Sequence, residues 1–271
     1  MIQRRRFHVL LAVAAIAGLL VVAVAGMQSI GPASSPESVA IAAASDLQFA
    51  LDELIAAYET AHPDRAVAAT YGSSGNLFAQ ISNGAPFDLY FSADIDYPRR
   101  LEAAGVAATG ATRSYGKGRL ALWALAGSPL DVGARGMDAL ADPLVRRVAI
   151  ANPEHAPYGR AAVAALRSAG VYDAVADRLV LGENVSQAAQ FVESGAADLG
   201  IVALSLVRAP SVRGIGTYAE IPADLYPPIE QGAVVLARAP DPAAAGDFLD
   251  FVLSPAGRPV LERYGFVLPG T

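Results

Sequence analysis

The chain has 271 residues, of which 54% are hydrophobic and 17% charged, and it contains no cysteine. A chain this long and apolar can bury one large core or two modest ones, which excludes an intrinsically disordered protein. The lack of cysteine excludes disulfides, cysteine-ligated zinc, thiol catalysis and a lipid anchor on an N-terminal cysteine, and the formal net charge of −6 argues against nucleic acid or an anionic membrane as the main partner.

The N-terminal segment has the pattern of an export signal. Three consecutive arginines at positions 4–6 precede an uncharged apolar run over 9–25. The pattern predicts a signal peptide over 1–25, and the length of the apolar run leaves a retained membrane anchor as the alternative. Residues 26–38 are rich in Pro, Gly and Ser and are predicted to be a tether. The rest of the chain is expected in the periplasm or another extracytoplasmic space.

Beyond the tether, short apolar strands alternate with amphipathic helices. Strands are predicted over 39–44, 66–71, 87–91, 119–125, 148–151, 180–181, 199–203 and 232–238. Helices are predicted over 47–62, 77–83, 95–104, 159–169, 187–193, 242–253 and 255–264. Alternation of this kind builds parallel sheets through right-handed crossovers, and the chain length favours two α/β lobes over one very large sheet.

Four of the predicted strand-to-helix junctions carry small or hydroxyl-bearing residues. They contain Ser45, the pair Ser73 and Ser74, Tyr158 and Val185. Ligands of parallel sheets bind beyond the carboxyl ends of the strands, where helix N-termini present free N–H groups. Each junction alone is also typical of an ordinary helix cap or turn. Their recurrence predicts a site of hydrogen-bond donors, which suits a fully ionised oxyanion.

Five segments carry a resemblance to a known family. They read AAASDL (42–47), YGSSGNL (71–77), GAPFDLYFSAD (84–94), NPEHAPYGR (152–160) and RYGFVLPG (263–270). In sequence and in order they resemble the periplasmic molybdate-binding protein (ModA) family of ABC importers. The resemblance covers the chain from about residue 39 onward.

The resemblance implies a two-lobed type II periplasmic-binding-protein fold, with mostly parallel sheets and a chain that crosses the hinge twice. Lobe I would comprise 39–118 and 232–271, and lobe II would comprise 119–231. The implied function is capture of molybdate, and also tungstate, for delivery to a membrane permease. Such a protein is expected to be a monomer without catalytic turnover, cofactor or bound metal cation, molybdenum being present only within the oxyanion.

The resemblance also assigns roles to the junction residues. Ser45 and Ser74 match the serines whose hydroxyl and N–H groups hold the oxyanion. Tyr158 and Val185 match positions that donate backbone N–H groups from the second lobe. Ser73 is ranked below its neighbour Ser74.

One position departs from the family pattern. Many family members have a tyrosine, whose hydroxyl reaches the anion, at the position that matches Ala203. The missing donor leaves the completion of the site open, and the hydroxyl of Ser205 or a water molecule is a candidate replacement.

A serine hydrolase is the alternative from a different functional class. Ser45, Ser73 or Ser74 would be the nucleophile, and His62 or His155 the base. The chain has no G-x-S-x-G motif, and both histidines lie beside prolines in predicted loops. Solvated loop histidines are therefore the favoured interpretation.

Other oxyanions form a second alternative. Sulfate has the charge and donor requirements of molybdate but is smaller. Phosphate carries protons near neutral pH, so its site needs an acceptor carboxylate, and Asp46 is the only acid beside a proposed contact. We interpret Asp46 as a capping residue instead, which favours a ligand without protons. A structural module of the cell envelope, which needs no donor-lined loops, is disfavoured.

Overall fold

Two mixed five-stranded sheets with flanking helices make up the fold of the computed structural model, which describes residues 38–270. The predicted signal peptide or anchor over 1–25 lies outside the described residues. The predicted tether also lies outside them, except for Ser38, which is the first residue of strand β1. No helix within the described part of the chain has the length and hydropathy that a membrane crossing requires.

The strands lie in two sheets with the orders β2-β1-β3-β10-β4 and β7-β6-β8-β5-β9. Their bounds are β1 (Ser38–Ala44), β2 (Ala66–Gly72), β3 (Leu89–Ser92), β4 (Arg113–Gly118), β5 (Leu120–Leu125), β6 (Val148–Ala151), β7 (Leu179–Gly182), β8 (Leu199–Ala203), β9 (Gly216–Glu220) and β10 (Ile229–Val235).

Helices pack on these sheets. They are α1 (Gln48–Ala61), α2 (Ser74–Ser82), α3 (Asp96–Ala103), α4 (Val132–Arg135), α5 (Pro157–Ser168), α6 (Tyr172–Val175), α7 (Val185–Glu193), α8 (Leu204–Val207), α9 (Pro242–Leu253) and α10 (Arg258–Arg263). Short 3₁₀ helices cover Ser45–Leu47, Gly136–Ala141, Ala176–Arg178 and Ala223–Leu225.

The chain passes twice between the sheets. It leaves the first sheet after Gly118, enters the second at Leu120, and returns between Glu220 and Ile229. We call the first sheet with its helices lobe I and the second lobe II. The predicted two-lobed α/β fold with a double crossover is confirmed. β10 begins at Ile229, slightly before the predicted lobe boundary at 232.

The sheets are mixed, whereas the prediction was mostly parallel strands. β1 is parallel to β2 and β3, but β10 is antiparallel to β3 and β4. In lobe II, β6 is parallel to β7 and β8, and β5 is antiparallel to β8 and β9. The prediction missed β4 and β9, which lie at sheet edges. An edge strand needs no continuous apolar run, so its sequence gives little signal.

Alternating residues of lobe I's strands face helices on opposite sides of the sheet, as the period of two requires. Ala43 and Phe91 belong to the cluster that includes Phe248 of α9, while Ala42 and Tyr90 pack in the cluster formed by α2 and α3. Burial on both faces therefore fixes the carboxyl end of β1, where the first predicted site residue lies.

In lobe II, helix α5 begins very close to strand β6. A Cβ atom at Gly159, in the first turn of α5, would lie 2.2 Å from the carbonyl oxygen of Ala151. Only glycine allows this approach, which fixes the N-terminus of α5 at the end of β6.

We expect Gly159→Ala to lower the free energy of unfolding by roughly 1–3 kcal/mol, because the added methyl group must displace backbone. Gly246→Ala in α9 is the matched control, since a Cβ atom there meets nothing within 4 Å. The control should be more stable than wild type by about 0.5–1 kcal/mol. Urea denaturation measures both, and equal stability of Gly159→Ala and wild type would contradict the close packing.

Candidate functional site

A small cavity of about 10 Å³ lies between the lobes, where β1 ends and helices α2, α5 and α7 begin. A volume of this size is about what one water molecule needs. It is lined by Ala44, Ser45, Asp46, Gly72, Ser73, Ser74, Ala93, Ala156, Pro157, Tyr158 and Val185. The structure thus brings five of the residues singled out in the sequence, from four separate junctions, to one place.

Ser74 is the first residue of α2 and is almost fully buried. Its Oγ accepts the N–H of Ala93 at 3.0 Å, and its carbonyl oxygen accepts the hydroxyl of Tyr90 at 2.7 Å. Within the described residues the Ser74 hydroxyl donates no hydrogen bond. Because the oxygen is already an acceptor, its own hydrogen is left to donate to an acceptor in the cavity.

Ser45, which like Ser74 belongs to lobe I, is held by hydrogen bonds from Ser186 of lobe II. Its Oγ accepts the N–H of Ser186 at 3.4 Å, and its carbonyl oxygen accepts the Ser186 hydroxyl at 2.9 Å. The N-cap of the 3₁₀ turn Ser45–Leu47 is Ala44, so Ser45 is not the capping residue. Its hydroxyl hydrogen is therefore also a donor without a partner in the described chain.

Lobe II contributes the first turns of two helices. Tyr158 and Val185 are the second residue of α5 and the first residue of α7. The N–H groups at these positions have no partner inside the helix. Pro157 begins α5, and the side chain of Asn184 caps α7 by accepting the N–H of Gln187 at 3.0 Å. These start signals fix where the two helices present their N–H groups.

The groups that set the electrostatics of the cavity are helix dipoles and one carboxyl group, that of Asp46. No lysine, arginine or histidine is among the described residues that line it. The N-termini of three helices point their partial positive charge to this place, a common arrangement for anion binding. With hydroxyl and N–H donors but no cationic side chain, the cavity is suited to a small anion whose atoms are acceptors only.

Ser73 lines the cavity, but its hydroxyl is used elsewhere. Its Oγ lies 2.9 Å from Nδ1 of His155 and accepts the N–H of Asn76 at 3.4 Å as the cap of α2. The carbonyl oxygen of His155 accepts the N–H of Gly75 at 2.9 Å. This is a contact between the lobes. Within residues 38–270, His155 has no carboxylate hydrogen-bonded to its ring, so the pair lacks the third member of a hydrolase triad.

Ala203 and Ser205 do not line the cavity in the described chain. Ala203 is the last residue of β8 and is fully buried. The hydroxyl of Ser205 donates to the carbonyl oxygen of Asp46 at 2.6 Å. The serine considered as a replacement for the missing tyrosine hydroxyl is therefore engaged with the backbone.

Asp46 is the functional residue that sequence reasoning misread. Its Oδ2 accepts hydrogen bonds from the hydroxyl of Tyr158 at 3.0 Å and from Nε2 of Gln231 at 2.8 Å, so the capping interpretation is wrong. Within the described chain Oδ1 is buried without a partner. Burial raises the pKa of Asp46 to about 6, against the opposing effect of the hydrogen bonds from Gln231 and Tyr158. The feature of the sequence that could have indicated this role is an acidic residue two positions after the end of an apolar strand.

We expect Asp46→Asn to change the pH dependence of stability. Since the pKa of Asp46 is about 6 in the folded chain and 3.8 for an ordinary aspartate, the carboxyl group stabilises the fold fully below pH 3.8, and this contribution is lost as the pH rises through 6. Relative to the variant, wild type should lose about 3 kcal/mol of unfolding free energy across that window. Urea unfolding at stepped pH measures this loss, and a difference that does not vary with pH would contradict it.

Comparisons with known proteins agree with this geometry. The family model described as bacterial extracellular solute-binding protein matches residues 39–267. The chain is 36% identical to the molybdate-binding protein ModA of Rhodobacter capsulatus over 236 residues, which cover 87% of this chain and 90% of the relative. It is also 36% identical to ModA of Azotobacter vinelandii, over 87% of this chain and 92% of that one.

A solved structure gives the same result. The periplasmic molybdate-binding protein of Azotobacter vinelandii superposes with a TM-score of 0.80 at 34% sequence identity, and the match covers 85% of this chain and 99% of that one. Sequence and fold therefore agree over nearly the whole described chain. The protein belongs to the bacterial extracellular solute-binding proteins and, within them, to the ModA family.

Proposed function

We propose that this protein captures molybdate between its lobes for an ABC importer. The observation that carries the proposal is the convergence of Ser45, Ser74, Tyr158 and Val185 on one buried cavity between the lobes. The names of the relatives, which are molybdate-binding proteins, support the choice of ligand.

The proposed mechanism is closure around the anion. Ser45 and Ser74 donate hydroxyl hydrogens from lobe I, and Tyr158 and Val185 donate N–H groups from lobe II. Hydrogen bonds to a charged group are worth about 1.5–3 kcal/mol each. Four or more of them, less the cost of association, correspond to micromolar to nanomolar affinity. Because only the closed form makes every contact, the anion shifts the balance toward closure, and nothing in this step alters the ligand chemically.

Selectivity is expected from the excess of donors over acceptors among the groups that line the cavity. A fully ionised tetrahedral dianion needs donors only, whereas phosphate near neutral pH must donate a proton to the site. The carboxyl group that lines the cavity is that of Asp46, whose Oδ2 accepts two hydrogen bonds and whose Oδ1 has no partner in the described chain. Phosphate is therefore the competitor that most needs to be tested. We expect tungstate to bind like molybdate, since the two anions share charge and shape. Because this chain has Ala203 where many family members have a tyrosine, it lacks that tyrosine's hydroxyl donor. The other donors of the site must therefore supply the affinity.

The setting of the protein is also part of the proposal. The sequence of 1–25 predicts export, which places the protein in the periplasm, anchored if the segment is retained. Lobe I, comprising 39–118 with 232–271, and lobe II, comprising 119–231, would move about the two crossovers. The closed monomer would then deliver its anion to a membrane permease.

The first test is a calorimetric titration of the purified protein with molybdate, tungstate, sulfate and phosphate. We expect tight binding of the first two anions, weaker binding of sulfate and none of phosphate. A protein that binds none of them, or that binds phosphate best, would contradict the proposed function.

A second test removes one donor. Ser74→Ala should weaken molybdate binding by about 1.5–3 kcal/mol, because one hydrogen bond to a charged ligand is lost. Ser82→Ala is the matched control, as Ser82 is exposed at the opposite end of α2. If Ser74→Ala binds as tightly as the control, Ser74 is not part of the site.

A further inference from the structure

A second group of buried polar side chains lies beside the proposed anion donors. The hydroxyl of Tyr158 donates to Oδ2 of Asp46 at 3.0 Å. Nε2 of Gln231 lies 2.8 Å from the same oxygen and 3.1 Å from the Tyr158 hydroxyl. The exposed fractions of Asp46, Tyr158 and Gln231 are 1%, 2% and 0%. We propose that these three residues form an interlobe latch that holds the lobes closed, an inference that rests on the proposed function.

The members of the latch come from different lobes. Asp46 follows strand β1 and Gln231 lies on β10, both in lobe I, whereas Tyr158 is in α5 of lobe II. The hydrogen bond that the Tyr158 hydroxyl donates to Asp46 and the one that it accepts from Gln231 can therefore exist only when the lobes are closed. Opening the lobes returns the Asp46 carboxylate and the Tyr158 hydroxyl to water, so the latch adds to closure only the difference between its bonds and those to solvent.

A glycine at the crossover makes room for the latch. Gly118 is the last residue of β4, directly before the chain passes to lobe II. A Cβ atom there would lie 2.1 Å from the hydroxyl oxygen of Tyr158 and 2.5 Å from Nε2 of Gln231. The latch therefore packs directly against the crossover. A side chain at position 118 would displace Tyr158 and Gln231 from their positions in the latch.

Tyr158 takes part in both the latch and the proposed anion site. Its N–H group lies at the start of α5, where the cavity is, while its hydroxyl reaches Asp46. When the hydroxyl of Tyr158 is held by Asp46, less conformational entropy is lost on fixing its N–H group against the anion, and the reverse also holds. Anion capture and latch formation therefore favour each other, which is a coupling between two contacts of one residue. Asp46 and Gln231 are positioning residues, since they act on the ligand through Tyr158.

The latch predicts a kinetic effect. Loss of the hydrogen bond to a charged acceptor should lower the ratio of closed to open protein by about tenfold to a hundredfold. The affinity for molybdate falls with the closed fraction. Because the latch holds the closed form from which the anion must escape, the change should appear mainly as faster dissociation, with the association rate nearly unchanged.

The experiment measures closure and release together. The chain has no cysteine, so Ser82→Cys on α2 and Ser194→Cys after α7 place one spin label on each lobe. Distances between the labels, with and without saturating molybdate, give the closed fraction. Stopped-flow displacement of molybdate by tungstate gives the dissociation rate.

Tyr158→Phe is the principal variant, because it removes the hydroxyl and keeps both the ring and the backbone N–H. Gly118→Ala tests the same latch from the crossover, and Tyr218→Phe, at an exposed tyrosine of β9, is the matched control. We expect the first two variants to show a smaller closed fraction and dissociation at least tenfold faster, with wild-type behaviour in the control. If Tyr158→Phe keeps the closed fraction and the dissociation rate of wild type, the latch is overturned.

Failure of the latch and failure of the proposed function are distinguishable. If wild type binds no molybdate, the proposed function fails, and the latch is judged from the label distances of the ligand-free protein. A closed fraction that falls in Tyr158→Phe still supports the latch, and equal distances in both proteins overturn it. If wild type binds molybdate and the variants match it, only the latch fails.

Discussion

The structure depends on burying hydrogen-bond donors between two lobes without giving them acceptors. Donors of this kind lose their bonds to water when the lobes close, which is costly unless something in the cavity accepts them. A small anion with acceptor atoms on every side restores those bonds. Under the proposed function, closure and ligand capture are therefore a single event.

The rest of the fold serves to place these donors. The close approach of Gly159 to β6 and the cap at Asn184 fix the first turns of two helices in lobe II. In lobe I, the serine hydroxyls accept backbone N–H groups, so their own hydrogens are directed to other acceptors. Neutral donors oriented in this way are suited to an anion without a cationic side chain.

The sequence predicted the parts of the fold that local patterns control. Apolar strands such as β1 and β6 are short, buried and followed by residues typical of a helix start, so both the strands and the junction residues beyond them were recognisable. The edge strands β4 and β9 were missed because their sequences, RSYGKG and GTYAE, contain no continuous apolar run. Contacts across the cleft join residues far apart in the chain, so no local pattern indicates that Ser73 meets His155 or that Asp46 meets Tyr158.

The central claim is that uncharged donors from both lobes enclose an oxyanion, and a crystal structure of the protein with molybdate tests it most directly. The account predicts molybdate oxygens about 3 Å from the hydroxyls of Ser45 and Ser74 and from the backbone nitrogens of Tyr158 and Val185. Molybdate bound at another place, or held by arginine or lysine side chains, would contradict the account.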